Sequence, residues 1–222
     1  MLKKQITVTN AVPEHCVGIH NIIRLEYEIP DEEECDVCMP ASAIENHIRR
    51  FPEGQFVALN GQQVVGYALT MRTNRSPYAP PLSWMDAIGT FAINNHQPRG
   101  EWLYGVDFAV HKAFRRMGIG TKMYRARFAM VKQLNLRGFY AGGMLVNYPK
   151  YRHQMSVHEY GQRVIRGDIV DPTVSMQINR GFKPGHVIEG YCGPTEYDNA
   201  MLIVWDNPQY QFTQAGAFAA AL

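Results

Sequence analysis

Four cysteines in 222 residues, Cys16, Cys35, Cys38 and Cys192, are too few for the dense bridging of a small secreted scaffold. No run approaches the roughly 20 apolar residues of a membrane-spanning helix. Met1-Leu2-Lys3-Lys4 leads straight into the strand-like residues 5–9, without the apolar segment of a secretory leader. Charge of one sign is also missing: 22 basic against 20 acidic residues leave a formal +2, which excludes an extended nucleic-acid-binding surface. Cys35-Asp36-Val37-Cys38 has the spacing of half a zinc site. The histidines offer no second pair of ligands, so the motif reads as part of a solvated acidic loop with residues 31–34 and no metal is expected. These absences lead us to expect one substantial core and a cytoplasmic protein, with neither membrane nor nucleic acid among its partners.

What the chain does have is one stretch, residues 104–134, in which a strand, a glycine-containing turn and a helix follow one another. Tyr104, Val106, Phe108 and Val110 alternate with Gly105, Asp107 and Ala109, a strand period that puts the first set on one face. Ile119, Met123, Met130 and Leu134, flanked by Phe128 and Val131, recur at helical spacing. Between them, Gly118 and Gly120 let the backbone approach a ligand. The first helical turn leaves N–H groups unpaired at the positive end of the dipole. Lys112, Arg115, Arg116 and Lys122 add charge beside it. The combination suits a phosphate or pyrophosphate. It is not a Walker loop, because two glycines five apart followed by Lys and Ser/Thr are absent. A dinucleotide fingerprint would need a third glycine where Met123 stands.

Around this stretch the chain reads as an ordered series of elements. Residues 5–9 suggest a strand, and 13–27 a helix with Val17, Ile19, Ile22, Ile23 and Leu25 as its apolar surface. Residues 41–51 suggest a second helix, ended by Pro52-Glu53-Gly54. Strands at 55–59 and 62–71 flank Asn60-Gly61, a strong hairpin signal. Pro77, Pro80, Pro81 and Pro98 interrupt residues 72–100, with one short helix at 83–88. An insertion this long is often functional. Trp84, Met85 and Phe91 are candidates to cover an acyl or acceptor pocket, packing on the sheet being the alternative. A strand at 138–146 ends at Asn147-Tyr148-Pro149. A helix at 156–166 follows, then another opened by Asp171-Pro172-Thr173 and stopped at Gly181, and a closing antiparallel pair at 182–191 and 200–205. The order is that of a single α+β sheet domain over residues 1–206. Residues 207–222 read as a tail, a short helix or a homodimer contact.

Arg115-Arg116-Met117-Gly118-Ile119-Gly120, following a strand that ends at Val110, resembles the acyl-CoA signature Arg/Gln-x-x-Gly-x-Gly/Ala of the GNAT family of N-acetyltransferases. Leu103-Tyr104-Gly105-Val106-Asp107, Asn135-Leu136-Arg137, Ala141-Gly142-Gly143, Met155-Ser156, Asp171-Pro172-Thr173-Val174-Ser175, Gly181-Phe182 and Phe51-Pro52-Glu53-Gly54-Gln55-Phe56 are similar to the branch often fused to a carbon–nitrogen hydrolase. There is no room here for that hydrolase domain, so no nitrilase activity is implied. The resemblance implies a GNAT-like α+β fold: a mixed, mainly antiparallel central sheet with flanking helices and a helical insertion between the fifth strand and the following helix. It also implies an acyl-CoA donor, acetyl-CoA first, with coenzyme A as product. Phe108, Ala109 and Val110 would face pantetheine. Arg115, Arg116, Met117, Gly118, Ile119, Gly120 and Thr121 would surround the pyrophosphate, and Asn147 would bond cofactor or acceptor.

The implied chemistry is direct acyl transfer to a primary amine. A free alkyl amine has a pKa of about 10, so a proton acceptor is needed. Asp107 on the central strand is the first candidate, an arginine pair or a loop cap being its alternative role. Tyr151 and His153, with Tyr148, follow the strand opposite the cleft and are candidates to touch acceptor or thiolate, packing or surface use being the alternative. Tyr104 reads as a packing aromatic. Many members of the family carry a tyrosine four residues before the Gly-Phe pair to protonate the thiolate. Gln177 stands there in this chain, and an amide is no acid. That departure leaves two competing readings, an acyl-CoA-binding sensor or interaction module without turnover, and a structural subunit that binds no coenzyme A.

Overall fold

The computed structural model describes residues 6–26, 28, 38–195 and 197–212. Cys35, the acidic residues 31–34 and residues 213–222 of the proposed tail lie outside the described residues. One seven-stranded sheet has the order β1-β2-β3-β4-β5-β7-β6. Its strands are β1 (Ile6–Asn10), β2 (Phe56–Asn60), β3 (Gln63–Thr73), β4 (Trp102–Val110), β5 (Gly138–Met144), β6 (Lys183–Ile188) and β7 (Ala200–Asp206). Every neighbouring pair is antiparallel except β4 and β5. One face carries α1 (Cys16–Glu26), α2 (Ala41–Arg50) and α3 (Trp84–Ile88), packed over Tyr67, Leu69, Tyr104 and Val106. The other carries α4 (Ile119–Gln133) over Ala68, Leu103 and Phe139. A third cluster joins α5 (Val157–Arg166) and α6 (Val174–Ile178) beyond the end of β5. This is the mixed, mainly antiparallel arrangement expected, with α5 as the helical insertion.

Two details differ from the sequence reading. Val17 and Leu25 are exposed, and α1 instead buries Cys16, Ile19, Ile22 and Ile23. The strict alternation along residues 104–110 is also broken. Leu69 pairs with Asp107 but Thr70 pairs with Gly105, so Val106 is an extra residue, a β-bulge. Val106 and Ala109 therefore pack with the α1 face, while Phe108 and Val110 pack with the α4 face. The Asp107 carboxylate meets Tyr67 of the α1 face. The bulge thus leaves the successive residues Val106 and Asp107 on the same, α1, side of the sheet, with Phe108 on the other.

Buried polar side chains fix the parts around this strand. Gln55 donates to the carbonyls of Phe51 and Thr70, at 2.8 and 2.9 Å, and accepts from Thr70 N at 3.1 Å, tying the turn before β2 to β3. Asp171 accepts from Thr173 N and Val174 N, starting α6, and also from the Tyr160 hydroxyl and Asn147 N. His47 of α2 is fully buried and bonds the Phe91 carbonyl at 2.7 Å, which fastens the long insertion to the core.

His47 makes stability pH-dependent. Burial, partly offset by the bond to Phe91, lowers its imidazole from 6.5 to about 4. Its contribution is intact above the unfolded value of 6.5. As pH falls towards 4 the unfolded chain takes up a proton that the native state refuses, and on the order of 3 kcal/mol is lost. Urea unfolding of the protein and of His47→Gln at pH 7 and pH 4 should show the variant losing less stability on acidification by about that amount.

Candidate active site

The turn after β4 is held by backbone geometry rather than by its cations. Arg116 and Gly118 both have positive φ, 66° and 77°. Gly118 caps α4 in the left-handed region, and Lys122 N bonds Gly118 O at 3.1 Å. The amides of Ile119, Gly120 and Thr121 precede that bond and have no carbonyl a turn earlier within the helix. A Cβ on Gly118 would meet nothing within 4 Å, so this residue looks onto open space. One on Gly120 would come 3.6 Å from the Phe108 ring.

The side chains of the turn are largely committed elsewhere. Arg115 pairs with Glu26 at 2.5 Å and donates to Val110 O at 2.9 Å. Lys112 pairs with Glu28, and Lys122 donates to Ile6 O. Thr121 Oγ1 accepts from Arg180 at 2.9 Å. Ile119 is buried in the α4 core, whereas Met117 is exposed. Basic residues do cluster here, but Arg115 and Lys112 are already neutralised by α1-side carboxylates.

Beside the turn the sheet opens. The pairs of β4 with β5 are Trp102↔Gly138, Leu103↔Phe139 and Tyr104↔Tyr140, and pairing stops there although both strands continue. The rest of β4 bonds β3 on its other edge. His111 N bonds Val65 O, so by alternation Ala109 turns its main chain to β3 while Phe108 and Val110 turn theirs to the opening. Two of those groups are occupied from within: Phe108 N donates to Asp107 Oδ1 at 2.7 Å, and Val110 O accepts from Arg115. Phe108 C=O and Val110 N–H complete that edge.

On the α1 side of the bulge, Asp107 Oδ2 accepts from the Tyr67 hydroxyl at 2.8 Å. Burial raises the Asp107 carboxyl above the ordinary carboxylate value, the bonds from Tyr67 and Phe108 oppose that, and Glu26 adds to it. Trp84 Nε1 bonds the bulge carbonyl Val106 O at 2.8 Å, and Trp84 N bonds Tyr191 O at 2.6 Å. Trp84 thereby joins the insertion, the bulge and the loop before β7. Tyr104 does more than pack. Its hydroxyl shares a 2.5 Å hydrogen bond with that of Tyr191, and the two form a wall of a pocket with Tyr140. Residues 75–82 cover it, and His186 and Ile188 of β6 also line it. The cavity is small, about 40 Å³, and its ionisable lining besides tyrosine is Arg75 and His186.

The other candidates lie apart from this bulge. The Tyr151 ring packs tilted against Tyr160, centroids 5.3 Å apart, within the α5 cluster, and the exposed His153 accepts from Arg152. Asn147 spends its amide on Lys150 and the Val170 carbonyl, closing the loop after β5. Gln177 is buried and packs on Gly143, where a Cβ would come 2.4 Å from its Oε1. Its Nε2 donates to the Tyr124 hydroxyl at 3.1 Å. Tyr124 and Arg127, both buried on α4, escaped the sequence reading. The signal was there, since Arg127 sits four residues after Met123 on the apolar face.

The sequence pattern described as "Acetyltransferase (GNAT) family" matches residues 17–151. "Uncharacterized N-acetyltransferase YkwB" of Bacillus subtilis (strain 168) is 28% identical over 221 residues, covering 95% of this chain and 98% of that protein. "Probable hydrolase YhcX" of the same organism is 34% identical over 167 residues, covering 74% of this chain and 33% of that protein. This chain thus spans about a third of that relative's length. The solved structure "GphF GNAT-like decarboxylase in complex with isobutyryl-CoA" is alike in fold, with a TM-score of 0.72 at 15% identity over 90% of this chain and 99% of that one.

Proposed function

From a chain that belongs to the acetyltransferase (GNAT) family, we propose an N-acetyltransferase that moves the acetyl group of acetyl-CoA directly onto a primary amine. The observation that carries this is the opening between β4 and β5, flanked by the unpaired first turn of α4. Diphosphate takes the amides around Gly118 and Gly120, and pantetheine bonds Phe108 C=O and Val110 N–H in the manner of an added strand. The thioester then reaches the bulge, whose far side holds Asp107 and the aromatic pocket.

The acceptor enters through that pocket. Its tyrosine walls suit an aromatic or aliphatic amine, and Arg75 and His186 favour one bearing a carboxylate over a polycation. Asp107 accepts the proton that the amine must lose. Its protonation weakens its hold on Phe108 N–H while negative charge is growing on the carbonyl oxygen, and main-chain donors along β4 stabilise that charge. Cys192, beside Asp107, is a poor alternative nucleophile. Burial of its sulfur, then the Asp198 and Asp107 carboxylates, push its thiol up to about 12, although the residue as a whole is exposed. This favours direct transfer over an acyl-cysteine.

Gln177, unable to protonate the thiolate, favours the second reading, a sensor that binds acyl-CoA without turnover. Release of free thiol from acetyl-CoA with a panel of amines separates them. Amine-dependent thiol release, fastest with amino-acid-like acceptors, is expected. Binding of coenzyme A without thiol release would overturn the enzyme reading, and no binding at all would leave a structural subunit.

A further inference from the structure

A buried arginine, Arg127, has a second, half-buried one, Arg180, close by. Arg127 is 2% exposed, with its guanidinium 4.7 Å from the Phe108 ring, 4.1 Å from Tyr124 and 5.0 Å from Phe139. Arg180 lies 5.4 Å from the Tyr124 ring. Among the described residues, Arg127 Nη2 and Arg180 Nε are buried without a hydrogen-bond partner. Burial lowers the Arg127 guanidinium, and Arg180 lowers it further while Tyr124 opposes them. Holding the Arg127 cation out of water beside a second cation is costly unless negative charge appears beside it.

The group between them is Tyr124, and it spans the opening. Its ring packs on Phe108 at 5.3 Å, on the β4 bank. Its hydroxyl accepts from Gln177, whose side chain rests on Gly143 of the β5 bank. Both Phe108 and Gly143 lie beyond the last β4–β5 pair. Because Gln177 donates to the phenol oxygen, the phenol's own proton is free to point elsewhere.

We propose that Tyr124 is the proton donor to the departing coenzyme A thiolate, in place of the acid Gln177 cannot supply, and that Arg127 and Arg180 stabilise the phenolate it leaves. This rests on the acyl-transfer reading above. When the carbon–sulfur bond breaks, its electron pair goes to sulfur, and the Tyr124 O–H proton follows to give the free thiol. The phenolate regains a proton from water as the amine's proton leaves Asp107 for water, so nothing else is consumed. The Arg127 and Arg180 guanidiniums, 4.1 and 5.4 Å from the Tyr124 ring, stand where they can stabilise the phenolate that is left. The charged groups described around Tyr124 are these two arginines. Its other neighbours are Gln177, Phe108, Phe128, Phe139 and Phe182.

Tyr124→Phe keeps the ring and removes the proton. Its kcat should fall about thirtyfold, less than general acids usually contribute because a thiolate is already a fair leaving group. KM for acetyl-CoA and Kd for coenzyme A should stay close to wild type, while Tm falls by a few degrees because the buried Gln177 Nε2 loses its acceptor. Arg127→Met, which retains the bulk, should lower kcat in the otherwise unsubstituted protein and change it little further when combined with Tyr124→Phe, since the phenolate it stabilises is then gone. A Tyr124→Phe kcat within threefold of wild type, or a loss matched by equally weaker coenzyme A binding, overturns the assignment alone. No thiol release by the unsubstituted protein with any amine overturns the acyl-transfer reading, and the assignment with it.

Discussion

Gly118→Val is expected to weaken acetyl-CoA binding at least a hundredfold while lowering Tm by only a few degrees. The backbone there has φ 77°, and a β-branched side chain in the left-handed region costs on the order of 1–3 kcal/mol. For a chain of this size that is a modest shift in melting. Binding suffers more, because the space in front of Gly118 is empty of protein and the new methyl groups would stand where the amides meet the diphosphate. Calorimetric titration with coenzyme A measures the first effect and thermal melting the second. Affinity within threefold of wild type would move the donor site away from this turn.

Asp107→Asn should lower kcat about a thousandfold and leave coenzyme A affinity unchanged. The asparagine oxygen still accepts from the Tyr67 hydroxyl, the Phe108 N–H loses its acceptor at the amide nitrogen, and the ability to take a proton is gone; general bases contribute roughly 10²–10⁴. Because burial raises the Asp107 carboxyl, wild-type activity should fall on acidification through a limb above the ordinary carboxylate range, and that limb should vanish in the variant. Stability should respond in the opposite direction. A carboxyl with a raised native value stabilises the fold most when protonated, and that contribution is lost as pH rises through the native value. At neutral pH, removing the buried charge should therefore leave Tm equal or higher. A variant that melts well below wild type would mean that Asp107 serves the fold rather than the reaction.

The sequence carried the framework of this site better than its wiring. Asn60-Gly61, the glycines of the α4 turn and Asp171-Pro172-Thr173 are local signals, each tied to a backbone need that nearby residues reveal. The bulge at Val106 was illegible because it exists only in the register between β3 and β4, which no periodicity within β4 encodes. Arg115 was read as a phosphate ligand from its position, yet its carboxylate partner, Glu26, is 89 residues away in sequence. The pocket wall of Tyr104 and Tyr191 likewise comes from strand and loop segments that only the folded sheet brings together. Trp84 was legible as a residue covering the sheet, but its bond to the bulge carbonyl was not.

Among the described residues, the strand pairing that joins β1 to β4 with β5 to β7 is three parallel rungs long. A donor laid against Phe108 and Val110 would supply the rungs that are missing, so the substrate itself becomes mortar in the gap where the two strands part. Amide exchange at Gly142 and Met144, which alternate with the β7-facing Gly143 and Leu145, should then slow when coenzyme A is present, and the empty enzyme should loosen first along the line where its chemistry takes place.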